Sequence, residues 1–157
     1  MALQPNLLPL ASLIGTWRGS GRGHYPTIAD FTYVDEWEFR DIGKPFLWFV
    51  ERTWHPETGA PLHTETGYLR VPGAGVIELV AALPTGQAEL GVGTVSLADG
   101  VLRVTCEAEV RNTPSAKRVD RISRTLTVAG DRLDYALSMA AVGLADTPHL
   151  EAALTRC

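Results

Sequence analysis

Turn-forming residues divide this 157-residue chain into short segments of roughly 8 to 12 residues. Clusters of glycine, proline and small polar residues recur at Asp41–Pro45, His55–Pro61, Val71–Gly75, Leu83–Gly86, Ala98–Gly100, Asn112–Ser115 and Ala129–Asp131. Such spacing is typical of antiparallel hairpins in a sandwich or barrel. No intervening segment is long enough for the crossover helix of a parallel βαβ unit. The chain is therefore predicted to be all-β.

The segments alternate between apolar and polar residues, as half-buried strands do. One face of the segment 30–40 carries the aromatic residues Phe31, Tyr33, Trp37 and Phe39. The segment 45–54 is apolar on both faces in its first half, which predicts a strand covered on both sides. About nine or ten strands follow, after a short helical turn around residues 7–13. Closure into an up-and-down antiparallel barrel removes the exposed edges of such a sheet.

The stretch GTWRGSGRGHYPTI, residues 15–28, places several glycines on the same strand face as Trp17. These glycines are Gly15, Gly19, Gly21 and Gly23. Glycine permits a sharp bend and the close approach of another backbone or a ligand. The alternation leaves open whether the resulting space lies inside a barrel or at its mouth.

Composition narrows the classes of function. The length suits a single domain, and a net charge of −4 with 14 scattered basic residues argues against a nucleic-acid partner. The one basic run, Lys117–Arg124, is expected to be the solvated face of a strand, the alternative being a basic cluster near one rim. No apolar run approaches the roughly 18 residues that predict a membrane span. Cys106 and Cys157 lack metal or redox spacing.

The N-terminal segment has no basic region and is interrupted by Pro5 and Pro9, so a signal peptide is not expected. The sequence therefore predicts a cytoplasmic protein.

Four ordered segments resemble the nitrobindins, a family of small heme-binding β-barrels. They are Gly15–Ile28, with the family's G-x-W-x-G-x-G signature and its Y-P-T-I, then Gly43–Trp54, Leu62–Arg70 and Met139–Arg156. The resemblance covers nearly the whole chain and implies a ten-stranded antiparallel barrel, similar to calycins and lipocalins, with residues 1–157 as one domain. It also implies a ferric heme b protein that binds nitric oxide and isomerises peroxynitrite to nitrate.

The resemblance implies the site residues by position. His149, in the loop before the final strand, matches the proximal ligand of the heme iron. Thr27 of the Y-P-T-I matches a heme-pocket residue, and His63 matches a distal residue. His149 and His63 are therefore the candidate catalytic residues. Relatives often carry methionine just before the distal histidine, where this chain has Leu62.

The residues themselves leave these assignments open. Pro148 stiffens the loop that holds His149, which suits a ligand, although such a histidine is otherwise an ordinary surface residue. His63 shares a strand face with Glu65, so it either hydrogen-bonds a ligand or is a polar residue of the rim. Met139 lies on an apolar face and belongs either to the core or to the heme's hydrophobic edge.

Two further histidines are not expected in the site. His55 is interpreted as a turn residue, because Pro56 and Gly59 flank it. His24 lies opposite the glycine face and is expected to be exposed.

Two other functions are compatible with the pattern. A lipocalin-like barrel can carry a fatty acid or another small hydrophobic molecule, with Trp37 and Trp48 lining its cavity. A heme protein of this shape can instead sense or transport nitric oxide. The sequence does not decide whether the protein forms a homodimer through an exposed strand face.

Overall fold

Ten antiparallel strands form a closed barrel in the computed structural model, which describes residues 2–157. A 3₁₀ helix, Pro5–Leu13, precedes them. The strands are β1 (Gly15–Tyr25), β2 (Ile28–Asp41), β3 (Phe46–Trp54), β4 (Pro61–Gly73), β5 (Val76–Leu83), β6 (Gln87–Ala98), β7 (Val101–Asn112), β8 (Val119–Ala129), β9 (Arg132–Ala141) and β10 (Thr147–Arg156). The predicted ten-stranded all-β fold with a short N-terminal helical segment is confirmed.

Each strand pairs with its neighbours in the chain, and β1 also pairs with β10 to close the barrel. Because consecutive strands are antiparallel, the connections alternate between the two ends. One end carries the connections 26–27, 55–60, 84–86, 113–118 and 142–146. We call this end the mouth. The other end, which carries the N-terminal helix, is called the closed end.

The N-terminal helix covers the closed end with three leucines, Leu7, Leu10 and Leu13, all fully buried. A 3₁₀ helix has about three residues per turn, so side chains three positions apart point the same way. The indole of Trp17 donates a hydrogen bond to the Leu13 carbonyl oxygen at 2.8 Å. The Arg156 guanidinium stacks on the Trp17 ring at 4.1 Å. Within residues 2–157, no helix is long and apolar enough to cross a membrane.

The glycines of β1 make room for neighbouring strands. A Cβ on Gly19 would lie 2.7 Å from the Cα of Leu154 in β10. On Gly21 and Gly23, a Cβ would lie 2.6 Å from ring atoms of Tyr33 and Phe31, respectively. The glycine face is therefore filled by the β10 backbone and two aromatic rings of β2. These rings in turn form part of the wall of the barrel interior.

The expectation that β3 is covered on both faces is wrong. Leu47 and Phe49 are buried in the interior, whereas Trp48 is half-buried on the outer surface. A single-layer barrel has no second layer outside it. The outer face of β3 is covered only by side chains of adjacent strands, such as Arg40, whose guanidinium lies 5.5 Å from the Trp48 ring, and Tyr68.

Candidate functional site

A cavity of about 1430 Å³ opens at the mouth of the barrel. Apolar side chains line the part near β8, β9 and β10, among them Ile122, Leu137 and Met139. Phe31, whose ring fills the gap above Gly23, lines the β2 side. The cavity therefore offers an apolar wall to a large planar ligand that enters from the mouth.

His149 lines this cavity from the start of β10. It was expected in the preceding loop, but it is the third residue of the strand, at an irregularity in the pairing with β9 between Pro148 and Leu150. Its ring packs edge-on against Tyr25, with 5.4 Å between centroids, and against Phe31 at 6.3 Å. These contacts hold the imidazole in one orientation.

A hydrogen bond defines which nitrogen of His149 is available. Nδ1 lies 2.9 Å from the backbone carbonyl oxygen of His24. Because a carbonyl oxygen only accepts, Nδ1 carries the proton and donates it. In a neutral imidazole Nε2 then keeps a free lone pair, which is the arrangement that metal-ligating histidines usually show.

Burial favours the neutral form of this imidazole. Desolvation lowers the pKa of His149 below its ordinary value, although the hydrogen bond to the His24 carbonyl opposes the shift. Neutral histidine is the form that ligates iron. The environment of His149 thus keeps it ready to bind a metal at neutral pH.

His63 lies near the mouth on β4, across the barrel from His149. Three strands separate β4 from β10 on one side and five on the other, so the two histidines line nearly opposite walls of the same cavity. The Nε2 atom of His63 is 3.4 Å from Oε2 of Glu65. The His63 side chain is about one-third exposed. The structure thus leaves an open space between two imidazoles.

The other expected residues are distributed around the mouth. Met139 is partly buried and lines the cavity. Thr27 lies in the exposed turn between β1 and β2, at the same mouth as His149, but it does not line the cavity. His24 is exposed, as its strand parity predicts. His55 lies in a turn, where its Nδ1 accepts hydrogen bonds from two backbone N–H groups, and it also lines the mouth.

A layer of charged residues lies below the mouth. The Arg124 guanidinium donates two hydrogen bonds to Glu65, at 2.7 and 3.0 Å, and two to Glu89, at 3.2 and 2.6 Å. It also donates to the hydroxyl of Tyr135 at 3.0 Å. Burial alone would raise the pKa of Glu65, but the adjacent Arg124 outweighs it and holds that pKa below its ordinary value. Glu65 is therefore an ionised partner of the guanidinium.

Two further carboxyl groups in this layer lack a cationic partner. Asp35 is 0% and Glu51 2% exposed, and one oxygen of each has no hydrogen-bond partner within residues 2–157. Burial raises the pKa of Asp35 to about 7, against the opposing hydrogen bond from Trp37. Burial, followed by the neighbouring charges of Glu65 and Asp35, raises the pKa of Glu51 well above its ordinary value. The surroundings of both carboxyl groups therefore disfavour their ionised forms.

Sequence reasoning missed this charged layer. The basic run 117–124 is expected to be a solvated face, and Lys117, Arg118 and Arg121 are indeed exposed, but Arg124 is buried. The sequence did contain a signal for it. Arg124 lies two positions from each of the apolar residues Ile122 and Leu126, so the three side chains share one face of a strand. Asp35, Glu51 and Glu65 likewise lie on the apolar faces of their strands. A charge on an apolar face indicates a buried polar network.

The chain is similar to known proteins over nearly its full length. Residues 6–156 match the family model described as a THAP4-like, heme-binding beta-barrel domain. A Mycobacterium marinum protein named peroxynitrite isomerase 2 is 48% identical over 98% of this chain and 96% of its own. A Nocardia farcinica protein named peroxynitrite isomerase is 45% identical over 99% of this chain and 94% of its own. The crystal structure of Rv2717c from M. tuberculosis superposes with a TM-score of 0.97 at 42% identity, covering 99% of both chains.

Proposed function

Since the chain belongs to the THAP4-like heme-binding β-barrel family, we propose that it is a ferric heme b protein that binds nitric oxide and isomerises peroxynitrite to nitrate. His149 carries this proposal, because its Nδ1 is committed to the His24 carbonyl and its Nε2 is left for iron. The names of relatives 45 to 48% identical over almost the whole chain support the same reaction.

The cavity fits a heme in size and in chemistry. It opens at the mouth, it has an apolar wall, and it carries one half-buried imidazole whose pKa is lowered. We propose that His149 would hold the heme iron through Nε2 and that Met139 would contribute to the apolar wall against the heme. Thr27 lies in the turn between β1 and β2, at the mouth. It is proposed only to contact the part of the heme nearest the solvent.

Bound heme would supply an iron centre that binds and polarises a small oxidant. Peroxynitrite and nitrate have the same atoms and the same charge, so their interconversion transfers no net proton. The site therefore needs no obligatory acid or base. Its residues would have to hold the heme, leave room for the oxidant in the cavity and stabilise an anion between the two walls.

His63 is proposed for the last of these tasks. It lines the wall facing His149, and its imidazole is about one-third exposed, so it can reorient toward a small anion. Its neighbour Glu65 is neutralised by Arg124 and so does not repel that anion strongly. A hydrogen bond from His63 would favour bound peroxynitrite without consuming a proton.

The carrier function is less well supported. Trp48 lies on the outside of the barrel, and Trp37 is packed in the core instead of lining the mouth cavity. Glu51, Glu65 and Arg124 form the deeper wall. An acyl chain would have to lie against these charges, which disfavours a fatty-acid site.

Stopped-flow decay of peroxynitrite tests the proposal. Heme-loaded protein should speed the decay and raise the yield of nitrate, whereas heme-free protein and His149→Ala should not. His55→Ala is the matched control, because it removes another histidine of the mouth and should leave the rate unchanged. Equal rates with heme-loaded and heme-free protein would refute the isomerase activity and leave a nitric oxide sensor or carrier.

A further inference from the structure

We propose that Glu51, His63 and Glu65 form a binding site for a divalent first-row transition-metal ion in the wall of the cavity, separate from the heme. Glu51 and Glu65 are directly paired across β3 and β4, and His63 lies two residues from Glu65 on the same face. Binding of this ion does not depend on His149.

The three side chains are arranged as ligands around one centre. Each offers one ligand atom, and the three atoms lie within 4.8 Å of one another. Ligands about 2.1 Å from a tetrahedral ion lie about 3.4 Å apart. The Nε2 atom of His63 and the Oε2 atom of Glu65 are already 3.4 Å apart. That distance is long for a hydrogen bond but fits two ligands of one ion.

An unsatisfied atom points to a missing partner. Glu51 is 2% exposed, lines the cavity and has one carboxylate oxygen without a hydrogen-bond partner among the described residues. Buried polar atoms are nearly always paired. Two carboxylates opposite each other in a sheet repel unless something neutralises them. An ion between Glu51 and Glu65 would pair the free oxygen of Glu51 and neutralise the repulsion between the two carboxylates.

The charge balance of the layer points the same way. Four buried acidic side chains, Asp35, Glu51, Glu65 and Glu89, face one buried guanidinium, that of Arg124. Its Nη1 and Nη2 atoms donate to Glu65, and its Nε and Nη2 atoms donate to Glu89. Each Glu65 oxygen has a second lone pair, so it can accept from Arg124 and still ligate. Arg124 would then orient the ligand from outside, as outer-shell partners of metal sites do.

The donor set indicates the class of ion. One imidazole and two carboxylates suit Zn²⁺, Mn²⁺ or Fe²⁺, whereas Ca²⁺ prefers oxygen ligands alone. Three protein ligands leave a fourth position, and all three residues line the cavity. The ion would therefore be accessible to water or to a small anion that enters by the mouth.

Calorimetric titration of the full chain with ZnCl₂, after treatment with chelator, tests the site. The titration is run with and without heme. One ion per chain should bind, and Glu51→Gln should weaken the affinity at least about tenfold. Glu57→Gln is the matched control, because Glu57 lines the same cavity at the exposed mouth. The affinity of Glu57→Gln for Zn²⁺ should equal that of the unmodified chain.

His149→Ala and Glu51→Gln together separate this site from the heme site. His149→Ala should bind Zn²⁺ normally, and Glu51→Gln should still give the Soret band of bound heme. If circular dichroism shows that Glu51→Gln does not fold, His63→Ala replaces it, because His63 is about one-third exposed and its loss disturbs the core less. Absence of binding, or equal affinity in the unmodified chain and the ligand variants, would overturn the proposal whatever the outcome for heme.

Discussion

Replacing Arg124 with methionine should strongly destabilise the heme-free, ion-free protein at neutral pH. The substitution keeps an unbranched side chain of similar length but removes four hydrogen bonds to two buried carboxylates. Glu65 and Glu89 are 3% and 0% exposed, respectively, so neither carboxylate is well solvated once the guanidinium is removed. Both carboxylates are then left buried without a countercharge.

Breaking a buried ion pair from one side costs about 3–5 kcal/mol. Each kcal/mol lowers the melting temperature of a chain of this size by about 2–4 °C, so the expected decrease is about 6–20 °C. The loss should depend on pH. The folded-state pKa of Glu65 lies below its unfolded value because of Arg124, so this stabilisation is present above the unfolded pKa and is lost as pH falls through the folded pKa.

Urea denaturation at pH 7.5 and at pH 4, with chelator present, measures both effects. The difference between Arg124→Met and the unmodified protein should be large at pH 7.5 and smaller at pH 4, where the variant's carboxyl groups are protonated. Arg121→Met, on the exposed face of the same strand, should change stability by less than about 0.5 kcal/mol.

A third variant distinguishes the loss of stability caused by unpaired charges from the loss caused by altered packing. Adding Glu65→Gln and Glu89→Gln to Arg124→Met removes the orphaned charges and should recover much of the lost stability. A loss for Arg124→Met that is equal at both pH values, and that the added glutamines do not reduce, would refute the electrostatic reasoning.

Two smaller predictions concern β1 and the thiols. Gly19→Ala should lower the free energy of unfolding by about 1–3 kcal/mol in urea, because its methyl group would meet the β10 backbone at Ala153 and push the strands apart; Ser20→Ala, on the exposed side, should have little effect. Ellman's reagent at pH 8 should label Cys157 and not Cys106, because burial raises the pKa of Cys106 to about 11. Rapid labelling of both thiols in the folded protein would contradict the buried position.

The fold was predictable because it depends on local patterns. Turn residues set the strand lengths, and alternation identified the buried face of β2. The pattern of β3 was misleading, since Trp48 is apolar but lies outside. Alternation alone does not distinguish an apolar outer face from one that a second layer covers.

The site was predictable only in part. His149 and His63 were found by resemblance, and the structure places them on facing walls of one cavity. The charged layer was missed because it depends on partners far apart in sequence, such as Arg124 and Glu65, 59 residues apart. Single-residue patterns cannot show that such partners meet in the barrel interior.

The glycine face shows a similar limit. Alternation identified a strand face without side chains at Gly19 and Gly21, but not what occupies it. The register of β1 with β2 and β10 brings a Tyr33 ring over Gly21 and the β10 backbone over Gly19. The absence of side chains at these glycines therefore allows close packing within the barrel wall. It affects the cavity only through the position of the aromatic rings that pack against the glycines.

His149 is proposed to hold the iron of a heme at the mouth of the barrel. The absorption spectrum after reconstitution with hemin reports on this bond. The unmodified protein and His55→Ala should share one Soret band of protein-bound heme, and His149→Ala should lose that band. An identical bound-heme spectrum in His149→Ala would contradict the account, because another residue would then be the ligand.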